Sequence, residues 1–297
     1  MHEICFANGN YLPKDQVSVP IDDYGFARGY TLFEHFKTYK GKPFHGEDHL
    51  RRLFHAASFF YLKVPYSIDD ILNIIKTLHE KNHFDEAGYK IYLTAGRCES
   101  YLDFPKTPSF FILPYAIEKR PCKEDDEIFV TTTHFQRNFI EHKTVHYLPG
   151  IKAHLDAIKG AQVHGTEIPA ETLYLDKENN LLEGTFSSLL VFDQDTLIVP
   201  KSDNLPGITQ HIVLRIAKDH FDIRHENIPY DALGDLTEVL FASSVSEIRS
   251  IRKLDTFTFK TRKNAVILKK LFNTYVDESS WPLLEKFAYA SLATSCL

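Results

Sequence analysis

The chain has 297 residues, 43% hydrophobic and 25% charged, which is enough for a large core in one large domain or two medium ones. Its formal net charge of −6 opposes the basic surplus that phosphate-backbone binding needs, so nucleic-acid recognition is set aside. No signal-peptide pattern and no 18-residue apolar run occurs, and the four cysteines (Cys5, Cys98, Cys122, Cys296) lack CxxC spacing, so a soluble, cytoplasmic chain with reduced thiols and no membrane contact is expected.

Taken in order, Glu3–Ala7 and Tyr11 flank an Asn8-Gly9 turn, the strongest short hairpin signal. Thr31–Tyr39 is rich in aromatic and β-branched residues and reads as a strand, closed by the turn Lys40-Gly41-Lys42-Pro43. Leu50, Leu53, Phe54, Ala57 and Phe60 give His45–Leu62 a helical period, which Val64-Pro65 ends. Ser67 with Asp70 forms an S-x-x-D cap that opens a second helix to about His83, and Gly88 is placed in the loop beyond it. Tyr89–Gly96 and Ser109–Leu113 read as strands. The polar segment Glu118–Glu127 then separates two lobes: a small α/β domain over 1–119, a linker over 120–127 and a larger domain over 128–297. In the second lobe Ile128–His134, Thr172–Leu175, Leu189–Phe192, Thr196–Val199 and Val239–Ala242 are expected as strands. Lys152–His164, Thr209–His220 and Ala265–Tyr275 are expected as helices, and the tail Ala288–Leu297 as frayed. The fold class is α+β.

Motifs separate weak signals from informative ones. His79-Glu80-Lys81-Asn82-His83 matches H-E-x-x-H, the spacing of a zinc hydrolase, but it sits at a helix end and lacks any further ligand pattern; it reads as a solvated helix terminus. His45 and His49 are set aside in the same way. No G-x-G-x-x-G, P-loop or G-x-S-x-G is present. What remains is an ordered series: Lys143, where an extended segment gives way to the period Leu148, Ile151, Leu155, Ile158; Glu183-Gly184-Thr185; Leu205-Pro206-Gly207-Ile208-Thr209 opening a helix; and Phe241-Ala242-Ser243-Ser244 leaving a strand. A Gly-Ile-Thr turn into a helix N-terminus is a natural seat for a phosphate, because unpaired N–H groups and the positive end of the dipole face it.

In this order the motifs GYTLFEHFKTY, HLRRL, HKTVHYL, ETLYLDKENNLLEGTFSSLLVF, LPGIT and EVLFASSVSEI resemble the class IV (fold-type IV) aminotransferase family of pyridoxal-phosphate enzymes, over nearly the whole chain. That family includes branched-chain and D-amino-acid aminotransferases and aminodeoxychorismate lyases. The resemblance implies a homodimer of two-lobed chains, the larger lobe built on a β-barrel-like sheet with flanking helices, and pyridoxal 5′-phosphate as cofactor. By the same resemblance Lys143 forms the Schiff base with the cofactor aldehyde and shuttles the proton, Glu183 faces the pyridine nitrogen and Tyr147 the ring hydroxyl. Arg52, Ile208, Thr209, Ser243 and Ser244 would hold the phosphate, and Arg137 matches a recurrent family arginine. Phe33, His35 and Lys37, which alternate on one face of their strand, would line the substrate pocket.

The activity implied is amino transfer between an amino acid, branched-chain-like or acidic, and a 2-oxo acid. The His35 and Lys37 pair suits an acidic one better. The alternative is aminodeoxychorismate cleavage to pyruvate and p-aminobenzoate. Ser188 and Leu190 depart from the family's usual Asn and Phe, Gln210 from its Arg, and Val199 from its Thr. Ser100 and Leu102 stand where D-specific relatives grip a carboxylate with Arg and His, which argues against D-specificity. Glu34-His35 stand where lyases carry Thr-Thr, and Lys143-Thr144 with Tyr147 look more transaminase-like.

Overall fold

A computed structural model of the chain describes residues 3–98, 100, 103–117, 127–201, 203–278 and 280–284. The expected linker, apart from Glu127, lies outside these residues, as do Leu102 and the tail Ala288–Leu297. The chain divides into two compact units, Met1–Arg120 with His142–Val145 and Ser280–Leu297, and Pro121–Glu141 with His146–Ser279.

The first unit holds β1 (Ile4–Ala7), β2 (Asn10–Pro13), α1 (Tyr24–Arg28), β3 (Thr31–Tyr39), β4 (Lys42–Pro43), α2 (Gly46–Phe59), α3 (Ile68–Asn82), β5 (Ala87–Thr94) and β6 (Ser109–Ala116). Its strands pair antiparallel in the order β2-β1-β6-β5-β3-β4. Asn8 (φ 47°) and Gly9 (φ 92°) are both left-handed, the requirement of a tight hairpin turn that matches strand twist, and Lys40 and Gly41 repeat the device between β3 and β4. The expected capping box is present, with Asp70 N–H donating to Ser67 Oγ at 3.1 Å and Ser67 N–H to Asp70 Oδ2 at 3.0 Å. One face of the sheet packs on α2 and α3 through Phe36, Leu50, Leu53, Ile71, Ile75, Leu78 and Ile91.

Two expectations change here. Helix α2 stops at Phe59, before Val64-Pro65, because Tyr61 turns left-handed and Leu62 N–H returns to Ala57 O at 2.8 Å. Gly88 lies inside β5 rather than in a loop. A Cβ there would overlap the Tyr115 ring, so the missing side chain is what lets that ring lie across the strand.

The second unit holds β7 (Glu127–His134), α4 (Leu148–His164), β8 (Glu171–Leu175), β9 (Leu181–Gly184), β10 (Ser188–Asp193), β11 (Thr196–Pro200), α5 (Ile208–Ala217), β12 (Asp222–Glu226), β13 (Glu238–Ser243), β14 (Glu247–Leu254), β15 (Phe257–Thr258) and α6 (Lys263–Val276). The pairing β10-β13-β14-β7-β8-β9 returns to β10 through Ser188 opposite Glu183, which closes a six-stranded barrel-like ring. Its apolar filling includes Val130, Leu173, Leu175, Leu181, Leu189, Val191, Val239, Phe241 and Ile251. Helices α4 and α5 are the crossovers of the parallel pairs β7/β8 and β11/β12. The aliphatic period that announced α4 is not core. Leu148 is 78% and Leu155 56% exposed, so the stripe faces outward. Among the described residues no helix is long and apolar enough to cross a membrane.

Candidate active site

In the first unit, Lys143 is carried by a short extended segment laid against β3. Phe33 N–H donates to Lys143 O at 3.0 Å, Val145 N–H donates to Thr31 O at 3.2 Å, and Thr144 bridges Leu32. These backbone bonds fix the lysine without using its side chain. Its Nζ stands 4.5 Å from the centre of the Phe33 ring.

Phe33, His35 and Lys37 share the sheet face opposite the core, as strand alternation requires. Tyr92 stacks on Phe33 at 6.1 Å, and Tyr115, folded over Gly88, brings its hydroxyl to 2.6 Å from His35 Nε2. Lys90 pairs with His35 across the strands and hangs over Tyr115, while Lys37 lies over Tyr39. Burial, then the positive charges of Lys143 and Lys90, push His35 down to about 4. It is therefore neutral at pH 7, and the basic character of this face comes from its lysines.

Arg52 is buried and makes a two-nitrogen fork onto Glu34, Nε to Oε1 at 2.7 Å and Nη2 to Oε2 at 2.8 Å; His49 Nδ1 reaches the same carboxylate at 2.8 Å. Burial opposes ionisation of Glu34, but the Arg52 guanidinium and His49 outweigh it and hold the carboxyl far below the usual range. His45, the N-cap of α2, is likewise buried against Asp48 at 2.6 Å, so neither member of the HGEDH pair is a solvated side chain. Nor does HEKNH form a ligand pair. Helix α3 ends at Asn82, His83 turns left-handed as its cap, and His79 contacts the Tyr89 hydroxyl at 3.1 Å.

In the second unit the carboxylate of Glu183 is held from both sides, by Arg137 Nε at 2.7 Å and by Leu205 N–H at 3.1 Å. Its aim comes from a bulge. On β8 Leu173 faces Gly184 and Leu175 faces Leu181, so three residues of β9 advance against two of β8. Simple alternation would send Glu183 into the ring with Leu181. The extra residue turns it to the outer side, and Gly184 takes the inner one, where a Cβ would overlap Glu171 and press on Phe241.

Helix α5 begins at Ile208 with Gly207 as its N-cap and no side-chain cap, which leaves the first N–H groups of the helix facing outward from its end. Thr209 Oγ1 lies 3.5 Å from Ser244 Oγ, so hydroxyls from α5 and from the end of β13 converge there. Ser243 Oγ accepts from Ser246 N–H at 3.2 Å and shapes the Ser243–Ser246 turn. The departures have local roles. Gln210 Nε2 donates to Leu189 O at 3.1 Å, and Ser188 Oγ fills the space a Cβ on Gly207 would take. Since Gly207 has ordinary extended angles, Gly207→Ala is expected to cost about 1–3 kcal/mol by crowding alone. Adding Ser188→Ala should recover most of it; urea unfolding of the single and double variants measures both.

Sequence reasoning missed the partners rather than the principals. Glu34 carried a signal, being a charged residue on the core-facing register of β3 between Leu32 and Phe36. Tyr115 and Leu205 carried none, because their roles depend on a glycine seat and a backbone N–H.

Pyridoxal phosphate presents an anionic phosphate, a pyridine nitrogen and an aldehyde. Groups of each matching kind are present: in the second unit an uncapped helix N-terminus with the Thr209 and Ser244 hydroxyls and a buried carboxylate held in place, and in the first unit a primary amine. Comparison with known proteins agrees. The family model for amino-transferase class IV matches residues 31–254. A D-alanine aminotransferase of Staphylococcus aureus is 24% identical, over 94% of this chain and 99% of its own. A branched-chain amino acid aminotransferase of T.th., solved with pyridoxamine 5′-phosphate, superposes with a TM-score of 0.82 at 18% identity, covering 93% of this chain and 94% of that one. A Legionella pneumophila protein provisionally named a 4-amino-4-deoxychorismate lyase superposes with a TM-score of 0.77 at 21% identity, covering 88% and 96%. The chain belongs to the class IV aminotransferases, enzymes whose cofactor is pyridoxal 5′-phosphate.

Proposed function

We propose that the protein is a cytoplasmic, homodimeric aminotransferase that moves an amino group between an amino acid with an acidic side chain and a 2-oxo acid. The observation that carries the acidic preference is the outer face of the first sheet, where Lys37 and Lys90 flank the His35–Tyr115 pair beside Phe33. The positive charge of such a face attracts a second carboxylate. Free Cys5 and Cys98 suit a reducing compartment.

The cofactor supplies an electron sink for the bond broken at the substrate α-carbon. The remaining work falls to the chain. Lys143 would be the amine that binds the cofactor aldehyde and the base that carries the substrate α-proton. Glu183, braced by Arg137 and Leu205 N–H, would face the pyridine nitrogen and favour its protonated form. Tyr147 would face the ring hydroxyl. Ile208 and Thr209 N–H, with the Ser243 and Ser244 turn and Arg52, would hold the phosphate. His35, neutral and fixed by Tyr115, and Lys37 orient the substrate side chain.

Amino donors offered one at a time to cofactor-loaded enzyme test this through the change in visible absorbance. Glutamate, L or D, should convert the bound cofactor at least tenfold faster than L-leucine or D-alanine. Faster conversion by leucine would reject the acidic preference. Pyruvate released from aminodeoxychorismate, with no donor converted, would make the enzyme a lyase.

A further inference from the structure

Glu171 opens β8 and is buried. Leu173 and Leu175, which follow it at strand period, belong to the apolar filling of the ring, so Glu171 shares their inward face at the ring's end. Its carboxylate accepts from Phe186 N–H at 2.7 Å (Oε1), from Ser187 Oγ at 2.9 Å (Oε2) and from Ser187 N–H. All three donors belong to the three-residue loop 185–187 that joins β9 to β10. The same loop is pinned by Gly184 N–H to Ser187 O at 2.8 Å and by Thr185 N–H to Thr172 O at 2.9 Å.

Functional residues sit at both ends of this loop and at its tip. Its ends are Glu183 and Ser188, the cross-strand pair that closes the ring, and Ser188 packs against Gly207 at the start of α5. At its tip the Phe186 ring, 57% exposed, lies flat on Tyr147, with centroids 5.7 Å apart and planes 9° from parallel. One buried carboxylate therefore supports a loop that touches Glu183, Tyr147 and the turn into α5.

That support is costly. Burial pushes Glu171 up to about 7, against the pull of Phe186 N–H, the Ser187 hydroxyl and the charge of Arg249 on β14. An apolar side chain of similar volume would fill the end of the ring without that penalty. A buried acid kept at the expense of stability, beneath a functional loop, marks a function–stability trade.

We propose that Glu171 is a positioning residue of the cofactor site: through Phe186 and Ser187 it sets the loop that aims Glu183 and keeps Tyr147 stacked. The inference rests on Glu183 and Tyr147 serving the cofactor; it does not depend on which amino acid is the substrate.

Full-length Glu171→Leu and Glu171→Gln variants, compared with the parent as apo-protein and holoenzyme, test it. Glutamine keeps an acceptor for Phe186 N–H and a donor to Ser187 Oγ, whereas leucine keeps only the volume. For Glu171→Leu we expect a pyridoxal phosphate Kd raised about tenfold, read by titrating the apo-protein, and kcat lowered by about tenfold or more. Its Tm at pH 8 should equal or exceed the parent's. Glu171→Gln should stay within about threefold of the parent in both Kd and kcat.

The pH course of stability adds a check. Between the ordinary carboxylate range and about 7, Glu171 is ionised in the unfolded chain but protonated in the folded one, so parent stability falls as pH rises through that window. The leucine variant should lose that slope. A leucine variant with parental Kd and kcat would overturn the proposal. So would equal losses in both variants with a lowered Tm, which would make Glu171 a folding residue only. A parent that bound no pyridoxal phosphate would instead reject the site assignment itself.

Discussion

Lys143→Ala is expected to abolish amino transfer while the first unit stays folded. The loss from the proton-transfer role alone should reach roughly 10²- to 10⁴-fold, and the lost covalent attachment adds to it. Folding should survive because the segment is held through main-chain atoms, with Lys143 O accepting from Phe33 N–H and Val145 N–H donating to Thr31 O. The approach of its Nζ to the Phe33 ring is worth about 0.5–1 kcal/mol at a partly exposed site. Single-turnover conversion of glutamate, with circular dichroism as the control, measures the two effects separately. Parental turnover in the variant would remove the central assignment.

The largest stability effect is expected from Arg52→Ala, at about 3–5 kcal/mol, because the change leaves the Glu34 carboxylate buried without its fork. The double variant Glu34→Leu/Arg52→Met removes both charges and should regain most of that loss in urea unfolding. The pair also separates two roles of one residue. Restored stability without restored pyridoxal phosphate affinity would identify Arg52 as a cofactor contact. Restoration of both would leave it a structural partner of Glu34.

Local chemistry was legible to the residue where side chains speak for the backbone. Thr31–Tyr39 was bounded by its own β-branched and aromatic content and by a Lys-Gly turn, and the Ser67–Asp70 box opened α3 as written. The ordered motifs led to the family and its cofactor, and with them to a barrel-like larger lobe. Non-local effects were not legible. Strand β14 was missed because the apolar residues of Glu247–Leu254 (Ile248, Ile251, Leu254) recur at every third position instead of every second, with a register slip after Ile251. The bulge that turns Glu183 outward lies in the register of β9 against β8, a pairing that no single window of sequence contains. Burial reversed a charge reading as well. His35 counts as basic in the sequence, yet burial and the lysines beside it keep it neutral.

The extended segment at Lys143 also has a consequence for synthesis. Residues 143–145 cover the open edge of β3 along Thr31–Phe33, whereas β4 covers only Thr38 and Tyr39. A nascent chain that has released residues 1–120 therefore has every other strand of its first sheet but still shows a bare stretch of edge. Twenty-five more residues must emerge before Val145 can seal it, an interval of roughly 1–5 s at ordinary elongation rates. During that interval the exposed N–H and C=O groups can pair with another chain. The peptide that brings in the reactive amine is thus also the one that covers the Thr31–Phe33 stretch of this edge. A stall or truncation between residues 120 and 145 would leave that stretch of edge bare.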